Sequence, residues 1–465
     1  MKMNQPRVGL LPLYVKLYDE ALPGLAARVE PFVERILSAL RDVGCEACVA
    51  PTARTSPDFA RAVERFEAAG VDAILTLHLA YSPSLEAAEV LARTRLPIVM
   101  LDTTPDHDFG GHVDPMRLLY NHGVHGLQDL ASVLRRMGKP YRVVAGHLDD
   151  ADFMPRCVSL IRAARAAQSL RAMRTLRIGG TFPGMGDFAV EDDVLQRVLG
   201  ITVENIEPAH LAAVVNTISD EAVAAELAAD RMQYRVECDE AVHARSVRLG
   251  LGLREFLARG GYGAFSVNFL AFKEAGGPVN TVPFLECCKA MARGMGYAGE
   301  GDVLTAALVG ALAHGFGPTT FTEIFCPDWA GQSLFLSHMG EINPAVSAAQ
   351  PLLYEKQHTI TPTLNPATLA CAPRAGPATW VNLAPGPHES FRLITASVEV
   401  LADGTHPDLD RWVRAWIRPA VALPRFLEEF SHLGGTHHSA LLLGDHTAAM
   451  AAVSAFLQIE HCPIS

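Results

Sequence analysis

Glu300, Glu323, His338 and the pair His437-His438 are residue types that together fit one piece of chemistry. They stand in Gly299-Glu300-Gly301-Asp302, Thr320-Phe321-Thr322-Glu323, Ser337-His338-Met339 and Gly434-Gly435-Thr436-His437-His438. Two carboxylates with two imidazoles make a shell for one divalent transition metal. Mixed oxygen and nitrogen donors suit a borderline-hard ion such as Mn²⁺ better than a thiolate-seeking one. The coordination positions left open suit two neighbouring oxygens of a diol. Each residue also has a plainer reading. Glu300 reads as a helix-start glutamate favoured by the dipole, Glu323 as a solvated loop acid and His338 as a hydrogen-bonded core histidine. Of His437 and His438, one ring can ligate while its neighbour orients or packs. Asp302 reads equally as an acid behind the ligands and as the N-cap of the next helix.

These residues are far apart in sequence, so a fold must gather them. In the first third, apolar runs alternate with amphipathic ones. Strands are expected at Val8–Leu11, Ala47–Ala50, Ala73–Leu77, Pro97–Leu101 and Tyr141–Ala145. Helices are expected at Leu25–Asp42, Asp58–Ala69, Leu85–Arg93, Pro115–Met137 and Cys157–Ser169. That rhythm predicts a parallel, doubly wound sheet with ligand-facing loops after its strands. A second α/β region runs from about Leu176 to Pro318. It carries a run of undecided type at Leu211–Val215, one long helix over Glu221–Leu249, a strand over Phe265–Phe269 and an apolar helix over Val303–Ala313. The last third is rich in Pro, Thr and His, with short alternating strands at Phe391–Thr395 and Ala396–Val400 that predict an antiparallel, barrel-like sheet. The fold class expected is α/β. Two Rossmann-like or flavodoxin-like domains, residues 1–172 and 173–318, precede a β-rich domain, residues 319–465.

Composition narrows the function classes. With 465 residues the chain is long enough for roughly two to four domains. Apolar residues make up 49% and charged ones 19%, as in ordinary globular proteins. The 51 acidic against 39 basic residues are dispersed, and no basic patch points to nucleic acid or a membrane surface. Met1-Lys2-Met3-Asn4-Gln5-Pro6 has no apolar core of the kind a secretory leader carries, and the apolar stretches are too short for membrane spans, so cytoplasm is the expectation. Cys45 and Cys48 have redox-motif spacing but sit at a strand edge, and read as buried thiols in a reducing compartment. Gly179–Asp187 lacks the spacing of a phosphate cradle and reads as a loop at a domain junction, closing over a ligand.

Written out together, these segments resemble the L-arabinose isomerase family within the wider arabinose/fucose isomerase group. Gly296-Tyr297-Ala298-Gly299-Glu300-Gly301-Asp302, Thr319–Glu323, Ser337–Glu341 and Gly434–His438 carry the resemblance, with smaller matches at Gly146-His147, Asn216–Asp220 and Asn121–Gly126. The resemblance implies that Glu300, Glu323, His338 and His438 ligate Mn²⁺ and that both glutamates move protons. Asp302 and His437 are the candidates for positions behind them. His122, His125, Lys16, Tyr18, Met185 and Phe269 are implied at the substrate. The implied assembly is a trimer or hexamer of three-domain subunits, with active sites at subunit contacts. The sequence departs where the family has Gln-His-Leu-Tyr: here stands Val15-Lys16-Leu17-Tyr18. A second Gln position is His122, and Ile324–Trp329 replaces an acidic-aromatic run. The expected activity is therefore aldose–ketose isomerisation of an unphosphorylated pentose, hexose or deoxy sugar through a cis-enediol. An L-fucose/D-arabinose-type isomerase, an epimerase, a non-catalytic sugar-binding module and a metal-assisted hydrolase are the other readings.

Overall fold

Every residue of the strand Ala73–His78 is buried, as a central strand of a parallel sheet covered on both faces must be. The computed structural model describes residues 5–404 and 407–465. Met1–Asn4, the start of the segment read for a leader, lies outside them. The chain divides into two compact units, one ending at Gln168 and the other beginning at Ser169.

In the first unit, β1 (Arg7–Leu13), β2 (Glu46–Val49), β3 (Ala73–His78), β4 (Ile98–Asp102) and β5 (Tyr141–Ala145) form one parallel sheet in the order β2-β1-β3-β4-β5. Such an order has its switch point between β1 and β3. Apolar residues of helices Ser56–Ala69, Ser84–Arg93 and Gly123–Arg136 pack with Leu11, Ile74, Ile98 and Met100 into one core. The helix expected over Pro115–Met137 is broken. A 3₁₀ turn at Pro115–Arg117 and a short helix at Leu118–Asn121 precede His122, whose φ/ψ of −97°/27° is not helical, and the helix restarts at Gly123. The restarted helix packs closely, and a Cβ on Gly123 would lie 2.2 Å from the carbonyl oxygen of His78.

The second unit holds the remaining sheets. β6 (Arg174–Ile178) and β7 (Thr202–Ile206) precede β8 (Arg235–Glu237), β9 (Ala264–Val267) and β10 (Gly296–Gly299). A parallel four-stranded sheet has the order β10-β9-β6-β7. The stretch Glu221–Leu249 is two helices, Asp220–Gln233 and Glu240–Gly260, because β8 leaves the helical path to pair with β13 (Leu352–Glu355). Leu211–Val215 resolves into the end of a 3₁₀ turn and one helical turn, and Phe265–Phe269 is a strand only as far as Val267.

β11 (Thr319–Asp328), β12 (Ser333–Ser337), β14 (Ala367–Ala370, antiparallel to β13), β15 (Gly376–Pro385), β16 (Phe391–Val400), β17 (Ala415–Pro419), β18 (His438–Leu443) and β19 (Glu460–Ile464) complete the strands. The order β15-β18-β11-β12-β17-β16 closes through the β15–β16 pair into an antiparallel barrel, with β19 added parallel to β16. Phe391–Val400 is one continuous strand where two were expected. The barrel packs around Trp380, Leu336, Ile394, Ile417 and Leu441. Cys45, Cys287 and Cys288 are buried free thiols, whereas Cys48 is half-buried. No helix among the described residues is long and apolar enough to cross a membrane.

Candidate metal centre

Glu300, Glu323, His338 and His438 converge. Each offers one ligand atom, and these atoms all lie within 4.8 Å of one another. Register does much of this. On β11, Glu323 pairs directly with His438 of β18 on one side and with Ser337 of β12 on the other, one residue before His338. A β-bulge between Ile324 and Cys326 then ends the regular pairing, a device common beside active sites. Glu300 arrives from the other sheet, immediately after β10.

The turn that delivers Glu300 is strained. Its φ is +64°, and Gly301 follows at +86°. A side chain in the left-handed region costs about 1–3 kcal/mol and persists where surroundings enforce it. Here the Glu300 backbone N–H donates to Val267 O (2.8 Å) and Phe182 N–H to Glu300 O (2.9 Å). Arg177 Nε donates to Gly301 O at 3.1 Å. A Cβ on Gly301 would sit 2.3 Å from Gly180 O, and one on Gly299 would sit 2.7 Å from His338 Cε1.

The imidazoles of His338 and His438 are each held from behind. His338 Nδ1 is 2.8 Å from Glu341 Oε2, while Tyr297 Oη donates to Glu341 Oε1 at 2.7 Å. His438 Nδ1 is 2.9 Å from Asp302 Oδ2. Asp302 Oδ1 meanwhile accepts from Thr305 N–H (2.8 Å), so one carboxylate both caps the helix Val303–Gly315 and holds the His438 ring. The N-cap expected of Asp302 is present, and its other oxygen meets His438. Phe321 lies edge-on to both rings, with centroids 4.6 and 4.8 Å away. Asn382 accepts from Thr436 N–H, and its amide nitrogen lies 2.7–3.0 Å from Thr436 O, Thr436 Oγ1, His438 O and Ser439 Oγ, fixing the segment that carries the histidines.

With Nδ1 committed behind, Nε2 of each ring must face the centre. His338 Nε2, His438 Nε2 and Glu300 Oε2 are buried without a hydrogen-bond partner. His438 Nε2 is 2.8 Å from Glu323 Oε1 in a contact whose angles do not make a hydrogen bond. Unsatisfied buried polar atoms are costly, and a cation shared among them satisfies all at once. The residues present therefore fit a divalent metal ion. Burial pushes the Glu300 carboxyl up, but His437, His438 and His338 outweigh it and hold it at about 2. Glu323 is likewise lowered, burial being outweighed by His338, His438 and His437. Burial disfavours the His438 cation, yet Asp302, Glu300 and Glu323 raise its value.

His437 stands differently. Its Nε2 is 3.7 Å from Glu300 Oε2 and from Glu323 Oε1, too far for hydrogen bonds. Its Nδ1 is 2.6 Å from Asp187 Oδ2. Phe269, buried, lies edge-on to Phe182 with centroids 5.7 Å apart, and half-buried Met185 closes a turn on Phe182 O. In the first unit Tyr18 Oη is 3.2 Å from His122 Nε2, and the His122 and His125 rings are 5.9 Å apart, while Lys16 is exposed and Val15 buried. Glu341, Tyr297, Asn382, Asp187 and Phe188 were not singled out from sequence. Glu341 alone had a local signal, its position three residues after His338.

Comparison with known proteins decides the family. A profile of the L-arabinose isomerase central domain matches residues 185–314, and one of the L-arabinose isomerase C-terminal domain matches residues 318–460. An L-arabinose isomerase from a Nocardioides species (strain JS614) is 31% identical over 376 residues, covering 78% of this chain and 74% of that one. The chain belongs to the L-arabinose isomerase family. Another L-arabinose isomerase, from Shouchella clausii, is 29% identical over 444 residues, 93% of this chain and 88% of its own. Family membership makes this chain a sugar aldose–ketose isomerase, an intramolecular oxidoreductase of carbohydrate metabolism. Among solved structures, the arabinose-binding periplasmic protein of Shewanella sp. ANA-3 aligns at a TM-score of 0.16 and 14% identity over 65% of this chain and 82% of that one, and at that score says nothing further about this chain.

Proposed function

We propose that this protein is a Mn²⁺-dependent, cytoplasmic isomerase that interconverts an unphosphorylated aldose and its ketose through a cis-enediol. The observation that carries this reading is the inward set of unsatisfied atoms, Glu300 Oε2, His338 Nε2 and His438 Nε2, gathered around Glu323. Glu300, Glu323, His338 and His438 would hold the ion. When bound, such a cation supplies Lewis acidity that polarises the sugar carbonyl and lowers the cost of negative charge on the two oxygens. The chain's own residues do the rest. One glutamate takes the proton from C2 of the aldose and returns it to C1, and the other moves the hydroxyl proton between O2 and O1. Both carboxylates are held ionised, as proton acceptors must be at neutral pH. Met185 and Phe269 are assigned to the pocket wall, and Lys16, Tyr18, His122 and His125 to sugar hydroxyls. The assembly proposed is a trimer or hexamer.

The test is isotopic. Metal-stripped and Mn²⁺-loaded protein are incubated with a panel of aldoses in deuterated water. The loaded protein is expected to form ketose with deuterium at carbon, and the stripped protein to form none. Glu300→Gln and Glu323→Gln are each expected to lower kcat by at least about 100-fold. Turnover in stripped protein, or undiminished turnover in both variants, contradicts the proposal.

A further inference from the structure

The loop between β6 and residue 190 touches both halves of the centre. At its start, Gly180 and Phe182 brace the Glu300–Gly301 turn. At its end, Asp187 and Phe188 brace the two histidines. The Phe188 ring stacks on His438 with centroids 4.8 Å apart and planes 9° apart. Asp187 Oδ2 receives both the backbone N–H of His437 (2.8 Å) and its Nδ1 (2.6 Å). One oxygen thus fixes the position of the chain and the rotation of the ring together. A carboxylate on Nδ1 also selects the nitrogen that carries the proton. What remains free is Nε2, which faces Glu300 and Glu323 at 3.7 Å. The His437 side chain is 39% exposed, against 1% for His338 and 0% for His438, so it lies on the open side of the centre, where a substrate must sit.

We propose that Asp187 is a positioning residue for the isomerase reaction: it holds the His437 imidazole so that Nε2 meets an oxygen of the bound sugar. This rests on the isomerase reading above. His437 then touches substrate and is not a fifth protein ligand, and Asp187 acts only through it. The arrangement follows the general logic of a side chain whose reactive nitrogen is aimed by an acid on the other.

The full-length chain is compared with Asp187→Ala, Asp187→Asn and Asp187→Glu. For Asp187→Ala, kcat on an aldose the wild type accepts is expected to fall about 10- to 100-fold, while Mn²⁺ affinity by calorimetric titration stays within about twofold. Asp187→Glu is expected to recover part of the rate, and Asp187→Asn less. The second measurement needs no turnover. In proton NMR of metal-free protein, the downfield imidazole N–H resonance that disappears in His437→Gln is expected to disappear in Asp187→Ala and persist in Asp187→Glu. A kcat for Asp187→Ala equal to wild type, a persisting resonance, or Mn²⁺ affinity falling in step with kcat overturns the proposal. Absence of turnover in the wild type itself overturns the isomerase reading, and the positioning role with it.

Discussion

His338 and His438 each have an acid on Nδ1, and the two acids are held in unlike ways. Asp302 is fixed by the start of a helix, whereas Glu341 is fixed by a phenol, Tyr297. Acids in that position set the tautomer and the ring angle of the histidine they hold. Glu341→Gln is therefore expected to weaken Mn²⁺ binding about 10- to 100-fold with the fold retained, as read by calorimetric titration and circular dichroism. Unchanged affinity would mean that packing against Phe321 alone aims His338. The four residues that converge were legible in the sequence because four short segments carried them in order, and Asp302 because an N-cap is a local signal. Asp187, Asn382 and Tyr297 were not. Their contacts join residues 250, 54–57 and 44 positions apart, and no periodicity records such pairs.

Elements deliver these side chains through a strained turn at one end and strand register at the other. Gly301→Ala is expected to be damaging. The backbone there has φ +86°, and the added methyl would lie 2.3 Å from Gly180 O. A destabilisation of at least about 1–3 kcal/mol is expected by denaturant unfolding, together with weaker Mn²⁺ binding as Glu300 is displaced. Wild-type stability and affinity in that variant would show that the turn relaxes freely. The strands of the parallel sheets were readable from their continuous apolar runs. The two helices expected as single pieces, Pro115–Met137 and Glu221–Leu249, are each broken in two. The residues of Glu221–Leu249 favour helix, but a neighbour distant in sequence claims part of that stretch. β13 draws Arg235–Glu237 into a strand. A tertiary contact overrides propensity at that point.

At the scale of the whole chain, an open parallel sheet forms the first unit, and a parallel sheet and a closed barrel share the second. Apolar patterning foresaw this succession, while closure through the β15–β16 pair, long-range strand pairing, was invisible to it. The first unit also carries a pH liability. His78 is buried, its imidazole pushed down to about 3 by burial, with Asp129 opposing. The unfolded chain takes up a proton near pH 6.5 that the folded unit refuses. Stability from this residue is thus complete above about pH 6.5 and falls by about 1.4 kcal/mol per pH unit as the pH drops from there toward 3. Urea titrations across that range are expected to show this slope, and to lose one proton's worth of it in His78→Asn. An unaltered slope would assign the acid sensitivity elsewhere. The gathering of Glu300, Glu323, His338 and His438 around one ion is the claim on which the function stands. Anomalous diffraction from crystals of stripped protein soaked in Mn²⁺ tests it directly. One peak per chain, bounded by those four side chains, is the predicted result, and a peak elsewhere, or none at that point, would contradict it.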